Sequence, residues 1–325
     1  MYSNAVSYLQ QMLSSEASFR EGQWQAIDAV VNKKQRLLLV QRTGWGKSLV
    51  YFLATRLLRD RGNGPSLLIS PLLALMRNQI QMAEKIGVRA ATINSANVSE
   101  WQDVETRLEH NEIDILLISP ERLNSERFLR HTLPAMQHRL GLFVVDEVHC
   151  ISDWGHDFRP DYQRIVRLVR LLPENVPVIG VTATANDRVV EDVTEQLGSN
   201  LRVIRGPLMR KGLRLRNIVL KDQAERLAWL AENLPKFPGS GIIYTLTVAD
   251  SNRVARWLQQ QGLDVRAYHA DLPDDERVAT EEALLNNQVK ALSATVALGM
   301  GFDKPYLYFV IHFQRTGNVV SYYQQ

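Results

Sequence analysis

Two short clusters in this chain could do chemistry together. The first is Gln41-Arg42-Thr43-Gly44-Trp45-Gly46-Lys47-Ser48, which follows the apolar run Leu37–Val40 and precedes apolar residues at helical spacing (Leu49, Val50, Phe52, Leu53, Leu57, Leu58). A glycine loop between strand and helix lets backbone N–H groups turn inward onto a phosphate, and the helix N-terminus adds its dipole. Lys47 would bring a cation to the β- and γ-phosphates, and Ser48 a hydroxyl ligand for Mg²⁺. The second cluster, Asp146-Glu147-Val148-His149, ends an apolar run that begins at Leu142. Adjacent carboxylates at the carboxyl end of a buried parallel strand suit a metal-holding group and a water-activating base. Alone, that pair is equally an acidic strand cap. Beside a phosphate loop it becomes the other half of a nucleotide site.

The elements that would carry these clusters alternate. Apolar strands are expected at 37–40, 66–70, 90–93, 113–119, from 142 and from 178. Helices are expected at 2–14 (with Tyr8, Leu9, Met12 and Leu13 on one side), 24–31, 72–86, 99–109 with Ser99 as N-cap, and 161–172. Strands alternating with helices mean a parallel, doubly wound sheet. Gly198, Gly206, Pro207 and Gly212 then interrupt the pattern, and we place a domain boundary at 205/206. Alternation restarts with strands at 215–220, 241–244, 265–268, 289–293 and 308–312, and helices at 223–233, 249–261 and 274–285. The second unit has no phosphate loop of its own, so one nucleotide site, completed from across an interdomain cleft, is expected.

Several residues suggest a nucleic acid. After His149, the segment Trp154-Gly155-His156-Asp157-Phe158-Arg159 interleaves rings with cations, as single strands require for stacking. The same rings would equally suit a core. Ser70-Pro71, Ser119-Pro120 and Thr182-Ala183-Thr184 end three of these strands. Small hydroxyls on one sheet edge can hold a sugar-phosphate backbone, although each is also ordinary strand-to-helix punctuation. Gln23, at a helix start, is either a base-edge reader or a surface amide. The composition is that of a globular protein: 325 residues, 45% hydrophobic, 22% charged, formal net charge +3. That charge alone does not demand a nucleic acid, and the arginine clusters at 164–170 and 205–216 would equally be solvated faces. No signal peptide or membrane-length apolar run is present, so a cytosolic location is expected. The single cysteine, Cys150, leaves no zinc module and reads as a small apolar filler.

Taken in order, Phe19-Arg20-x-x-Gln23, Thr43-Gly44-x-Gly46-Lys47-Ser48, Asp146-Glu147-x-His149, Thr182-Ala183-Thr184 and Ala294-Thr295 to Gly301 resemble a superfamily 2 helicase. Within it, Cys150 to Pro160, Tyr268-His269-Ala270 and Ser321-Tyr322-Tyr323-Gln324 resemble the RecQ family of DNA helicases. The resemblance runs from Phe19 to the last residue. It implies an α/β fold of two RecA-like parallel-sheet domains in tandem, with ATP and Mg²⁺ as nucleotide and metal. It further implies movement three-prime to five-prime on single-stranded or duplex-junction DNA, in repair or recombination, on the nucleoid in a bacterium. Residue by residue, it assigns Arg20 and Gln23 to adenine, and Thr43, Gly44, Gly46, Lys47 and Ser48 to phosphates. Ser48 and Asp146 go to Mg²⁺, Glu147 to the attacking water, and Asp303 to the ribose. His149, Thr182 and Thr184 would relay nucleotide state. Ser70, Pro71, Trp154, His156, Phe158, Arg159 and Thr295 would meet DNA.

Three departures stand out. Gln41 replaces the first glycine of the phosphate-loop pattern, Trp45 puts a bulky ring into it, and Val148 stands where many relatives carry alanine. The chain also ends at Gln325, before the arginine motif that follows in RecQ-like helicases, whose cation is typically worth about 10³–10⁵ in rate. On the resemblance, the second domain is expected to be incomplete and this chain's own turnover weak. The remaining alternatives are an RNA-directed helicase and a non-catalytic, ATP-gated binding module.

Overall fold

The computed structural model describes residues 1–71, 77–94, 97–152, 160–198, 200–207, 213–298, 307–317 and 322, and the statements below concern these. The chain divides into two units, Met1–Arg210 and Lys211–Gln325.

The first unit runs α1 (Tyr2–Met12), α2 (Gln23–Val31), β1 (Leu37–Val40), α3 (Lys47–Asp60), β2 (Ser66–Ile69), α4 (Arg77–Glu84), β3 (Ala90–Ile93), α5 (Trp101–Glu109), β4 (Ile115–Ile118), α6 (Leu133–Gln137), β5 (Leu142–Val145), α7 (Gln163–Leu171), β6 (Val178–Thr182), α8 (Asp187–Leu197) and β7 (Arg202–Arg205). Its seven strands are parallel, in the order β3-β4-β2-β5-β6-β1-β7. Continuous apolar strands bury both faces. In β1, Leu38 and Val40 pack into one core with Leu67, Phe143 and Val145, while Leu37 and Leu39 enter the opposite core with Val50, Leu68 and Val144. A sheet covered by helices on both sides demands this composition.

The parallel register has one consequence for chemistry. The carboxyl ends of β2, β5, β6 and β1 are consecutive neighbours along one edge. Ser70, Asp146, Thr182 and the glycine loop after β1 therefore fall side by side.

The second unit contains α9 (Gln223–Asn233), β8 (Gly241–Tyr244), α10 (Val248–Gln260), β9 (Val265–Tyr268), α11 (Asp274–Leu285), β10 (Ala291–Ala294) and β11 (Phe309–His312). Its parallel sheet has the order β11-β8-β10-β9. Two helix starts are capped by side chains: Asp222 accepts the Glu225 N–H, and Thr247 accepts the Asp250 N–H.

Several elements differ from the sequence reading. The expected strand at 215–220 is absent, and Leu215 and Val219 are 72% and 91% exposed. Its apolar run Ile218-Val219-Leu220 suits a strand, but it has no partner strand to pair with. Ser99 does not cap α5; it sits exposed in a 3₁₀ turn, Val98–Glu100, and the helix starts at Trp101. The first helix stops at Met12, leaving Leu13 exposed. Strand β7, not anticipated, lies in the stretch read as interrupted and pairs with β1. Cys150 is buried in the first unit's core. Among the described residues, no helix is long and apolar enough to cross a membrane.

Candidate active site

The glycine loop is built as a phosphate cradle. Gly44 and Gly46 have φ of 76° and 96°, a region side chains rarely enter. At Gly46 a Cβ would also lie 2.7 Å from Gln23 Nε2. Lys47 opens α3, and its Nζ donates to the carbonyls of Gln41 (2.9 Å) and Arg42 (3.5 Å). The ammonium is thus held at the mouth of the loop, ready to exchange carbonyls for phosphate oxygens.

Both unusual loop residues have structural roles. Trp45 is 7% exposed and belongs to the core beneath the loop, its ring 3.5 Å from where a Cβ on Gly22 would be. Its carbonyl accepts a 2.8 Å bond from Gln23 Nε2. Gln41 is 3% exposed, and its side chain fills the space beside Gly206, where a Cβ would sit 2.1 Å from Gln41 Oε1. The residue that replaces a loop glycine is accommodated by a glycine after the neighbouring strand.

Gln23 is not a surface amide. It is 3% exposed, and its Oε1 accepts the Arg20 N–H at 2.9 Å. The Arg20 guanidinium in turn donates to the Gly44 carbonyl. Arg20 and Gln23 are therefore tied to the middle of the phosphate loop, at the neighbouring carbonyls of Gly44 and Trp45.

Asp146 and Glu147 follow β5. Asp146 Oδ2 accepts Ser70 Oγ at 3.1 Å and Oδ1 accepts the Glu147 N–H at 3.0 Å, while Tyr162 donates its hydroxyl to the Asp146 carbonyl at 3.0 Å. Burial, and then the Glu147 carboxylate beside it, push Asp146 up to about 7, against the opposing pull of Lys47. Glu147 adopts a left-handed backbone, φ 47°, uncommon for a residue with a side chain. Tyr51, one turn after Lys47, is buried, and burial together with the Asp146 and Glu147 charges raises its phenol well above the ordinary range.

His149 is fully buried. Its Nδ1 lies 2.8 Å from Thr182 Oγ1 and 3.2 Å from Glu147 Oε2. Thr182 Oγ1 also accepts the Thr184 N–H (3.1 Å) and faces the Thr184 carbonyl (3.2 Å). The hydroxyl has one proton, so it serves either the Thr184 carbonyl or the imidazole. Which one is set by the His149 tautomer.

The structure thus brings Arg20, Gln23, Thr43, Gly44, Gly46, Lys47 and Ser48 into one loop region, with Ser70, Asp146, Glu147, His149, Thr182 and Thr184 along the same edge. Ser70 and Thr182 are each 1% exposed. Their hydroxyls turn inward, to Asp146 and His149, rather than outward toward a surface ligand. Pro71 and Thr184 are half-buried beside them. Thr295 belongs to the second unit, where its N–H donates to the Tyr268 carbonyl at 3.2 Å. Trp154, His156, Phe158, Arg159 and Asp303 lie outside the described residues. Sequence reasoning missed Tyr51 and Tyr162; the spacing of four from Lys47 would have placed Tyr51 on the same helix face.

Residues 20–193 match the DEAD/DEAH box helicase family and residues 225–325 the helicase conserved C-terminal domain. The chain is 33% identical over 316 residues to the ATP-dependent DNA helicase RecQ of Bacillus subtilis, covering 94% of this chain and 51% of that protein. It is 32% identical over 335 residues to the ATP-dependent DNA helicase Q1 of Rattus norvegicus, covering 100% and 53%. The chain spans about half the length of the curated relatives it matches. Among solved structures, the Mycobacterium smegmatis helicase Lhr bound to ssDNA and AMP-PNP aligns with a TM-score of 0.77 at 20% identity, covering 97% of this chain and 44% of that one. The DUF1998 helicase MrfA bound to DNA and AMPPNP aligns at 0.78 and 19%, covering 98% and 47%. At such identities the likeness concerns the fold, two RecA-like parallel-sheet units. With its loop, its paired carboxylates and these matches, the chain belongs to the DEAD/DEAH box helicases, as a RecQ-type superfamily 2 core.

Proposed function

We propose that this chain is the motor of an ATP-dependent DNA helicase that couples ATP hydrolysis to 3′-to-5′ movement along single-stranded DNA, in repair or recombination. The observation that carries this reading is the path that starts where Glu147 Oε2 lies 3.2 Å from His149 Nδ1 and continues by hydrogen bonds from His149 to Thr182 and from Thr182 to Thr184. It starts at the carboxylates of a nucleotide site and runs along the sheet edge. A hydrolase with no second ligand to inform would not need it.

In this reading Gln23, supported by Arg20, reads the adenine edge once its amide leaves the Trp45 carbonyl. The N–H groups of residues 43–46 and the Lys47 ammonium receive the β- and γ-phosphates. Glu147 takes a proton from the water that attacks the γ-phosphorus, and the new charge on the site reaches Thr182 through His149. The available donors fit Mg²⁺: the Asp146 carboxylate and the Ser48 hydroxyl are hard oxygen ligands. Among the described residues no group of three or more His, Cys, Asp and Glu could hold a metal alone. A cation shared with phosphates suits that set. When bound, Mg²⁺ would neutralise phosphate charge as it develops. Asp303 serves the ribose, and Trp154, His156, Phe158, Arg159 and Thr295 serve the DNA. Ser70 and Thr182 act behind the DNA-facing surface, linking it to the carboxylates.

The test is ATP turnover of this chain with and without single-stranded DNA, and with RNA in its place. Stimulation by DNA, lost in Lys47→Ala together with nucleotide binding, is the expected result. Unchanged ATP affinity and turnover in Lys47→Ala would overturn the site assignment. Stimulation by RNA alone would change the substrate.

A further inference from the structure

The imidazole of His149 has two ring nitrogens, and the path to Thr182 uses one of them. Its Nδ1 edge faces Thr182 Oγ1 at 2.8 Å and Glu147 Oε2 at 3.2 Å. Its Nε2 edge faces Cys150 Sγ at 3.7 Å, within reach of a thiol hydrogen bond. The two side chains meet in the 3₁₀ turn Val148–Ile151, which follows directly on Glu147. That turn is closed by the Cys150 N–H on the Glu147 carbonyl at 2.9 Å and by the Ser152 N–H on the His149 carbonyl at 3.1 Å. His149 is 0% and Cys150 1% exposed, so both must be satisfied inside the protein.

A neutral imidazole carries one N–H, and its neighbours decide which nitrogen holds it. With the proton on Nε2, the Nδ1 lone pair faces the Glu147 carboxylate, negative against negative, and takes the Thr182 proton. The Thr184 carbonyl, 3.2 Å from Thr182 Oγ1, then loses that donor, and the Nε2 proton faces a sulfur, a weak acceptor. With the proton on Nδ1, every one of these contacts is matched. Nδ1–H points at Thr182 Oγ1 and at the Glu147 charge. Oγ1 also accepts the Thr184 N–H at 3.1 Å and gives its own proton to the Thr184 carbonyl, which uses both of its lone pairs and its one hydrogen. Nε2 is left as an acceptor, and the group facing it is a thiol. Cys150 suits that place twice over. It is a donor, and it lies in the core with Val148, Ile151 and Val178, where sulfur is at home.

We propose that Cys150 is a positioning residue: its thiol donates to His149 Nε2 and keeps the imidazole in the Nδ1-protonated form, which commits the Thr182 proton to the Thr184 carbonyl. This rests on the coupling path of the reading above and adds the residue that fixes the direction of its hydrogen bonds. No proton is transferred; the S–H, N–H and O–H bonds all persist. The path has one polarity, from sulfur through imidazole and hydroxyl to the Thr184 backbone, and each bond in it polarises the next.

The experiment begins with the infrared S–H stretching band. Cys150 is the single cysteine, so the band needs no assignment. It is compared between the unmodified chain and His149→Phe, and nitrogen NMR of histidine-labelled chain reads the two ring nitrogens, His149→Phe identifying their signals. Thermal melting of each variant reports folding. The band should lie at lower frequency in the unmodified chain than in His149→Phe, with His149 protonated on Nδ1. An unshifted band, or a proton on Nε2, overturns the proposal and leaves the helicase reading standing, because neither measurement depends on activity. Cys150→Ala and Cys150→Ser provide a second test that does not need His149→Phe to fold. DNA stimulation of ATP turnover should fall about two- to fivefold in Cys150→Ala, the lower part of what one hydrogen bond is worth. Cys150→Ser, which keeps a donor, should recover most of it, and ATP affinity should hold in both. Alanine and serine behaving alike would make the thiol a filler and overturn the proposal. Absence of DNA stimulation in the unmodified chain would sink the helicase reading, and the coupling role with it.

Discussion

Removing the Thr182 hydroxyl should separate nucleotide binding from its communication. Thr182→Val preserves shape in a site that is 1% exposed and exchanges one atom, the hydroxyl oxygen, for a methyl carbon. That oxygen makes the 2.8 Å contact to His149 Nδ1 and the 3.1 Å bond from the Thr184 N–H. Each neutral bond is worth about 0.5–1.5 kcal/mol net, and a buried group left without its partner costs about 1–3 kcal/mol. His149 keeps Glu147 Oε2 at 3.2 Å, which softens the second term. A loss of about 2–3 kcal/mol follows, or about 4–12 °C in the melting temperature of a unit this size. Denaturant unfolding of Thr182→Val, His149→Ala and the double variant should give an interaction energy of about 1–2 kcal/mol. The hydroxyl touches none of residues 43–48 in the described bonds, so ATP affinity should hold. DNA stimulation of turnover should fall about tenfold if some 1.4 kcal/mol of that interaction serves coupling. An interaction energy near zero would refute the coupling path. So would a variant that loses ATP affinity but keeps its DNA response.

Asp114 offers a test of pH dependence. Burial raises its carboxyl, but the Arg89 side chain and backbone N–H, with Arg59, more than offset that and hold it below its ordinary value. A depressed acid contributes stability that is present above its unfolded pKa, near 3.9, and is lost as pH falls through the folded value. Asp114→Asn should therefore cost about 2–4 kcal/mol at neutral pH, and unfolding curves of the two proteins should converge only below the ordinary carboxylate range. A gap that is already closed at pH 5 would contradict this. Trp45→Gly, which restores a loop glycine, should still destabilise the first unit by about 3 kcal/mol because it empties a buried site; calorimetry showing equal stability would mean the ring is dispensable.

The sequence by itself determined the chemistry and most of the frame. Gly44, Gly46, Lys47 and Ser48 are legible because a phosphate loop is a local object: a strand, a turn needing positive φ, and a helix start lie within a dozen residues. Asp146 and Glu147 are legible because a doubly buried strand has a composition of its own, and its end is marked by the first charges. Helices such as Gln223–Asn233 and Val248–Gln260 follow from caps and periodicity. Properties that depend on distant neighbours could be decided only by tertiary structure. Ser70 and Thr182 looked like edge hydroxyls, yet become interior links because β2 and β6 flank β5 and turn them onto Asp146 and His149. Trp45 is acceptable only because α2 and Gly22 leave room beneath the loop, and Gln41 only because Gly206 arrives from β7. The stretch 215–220 has a strand's apolar, β-branched residues, but a strand exists only where another pairs with it.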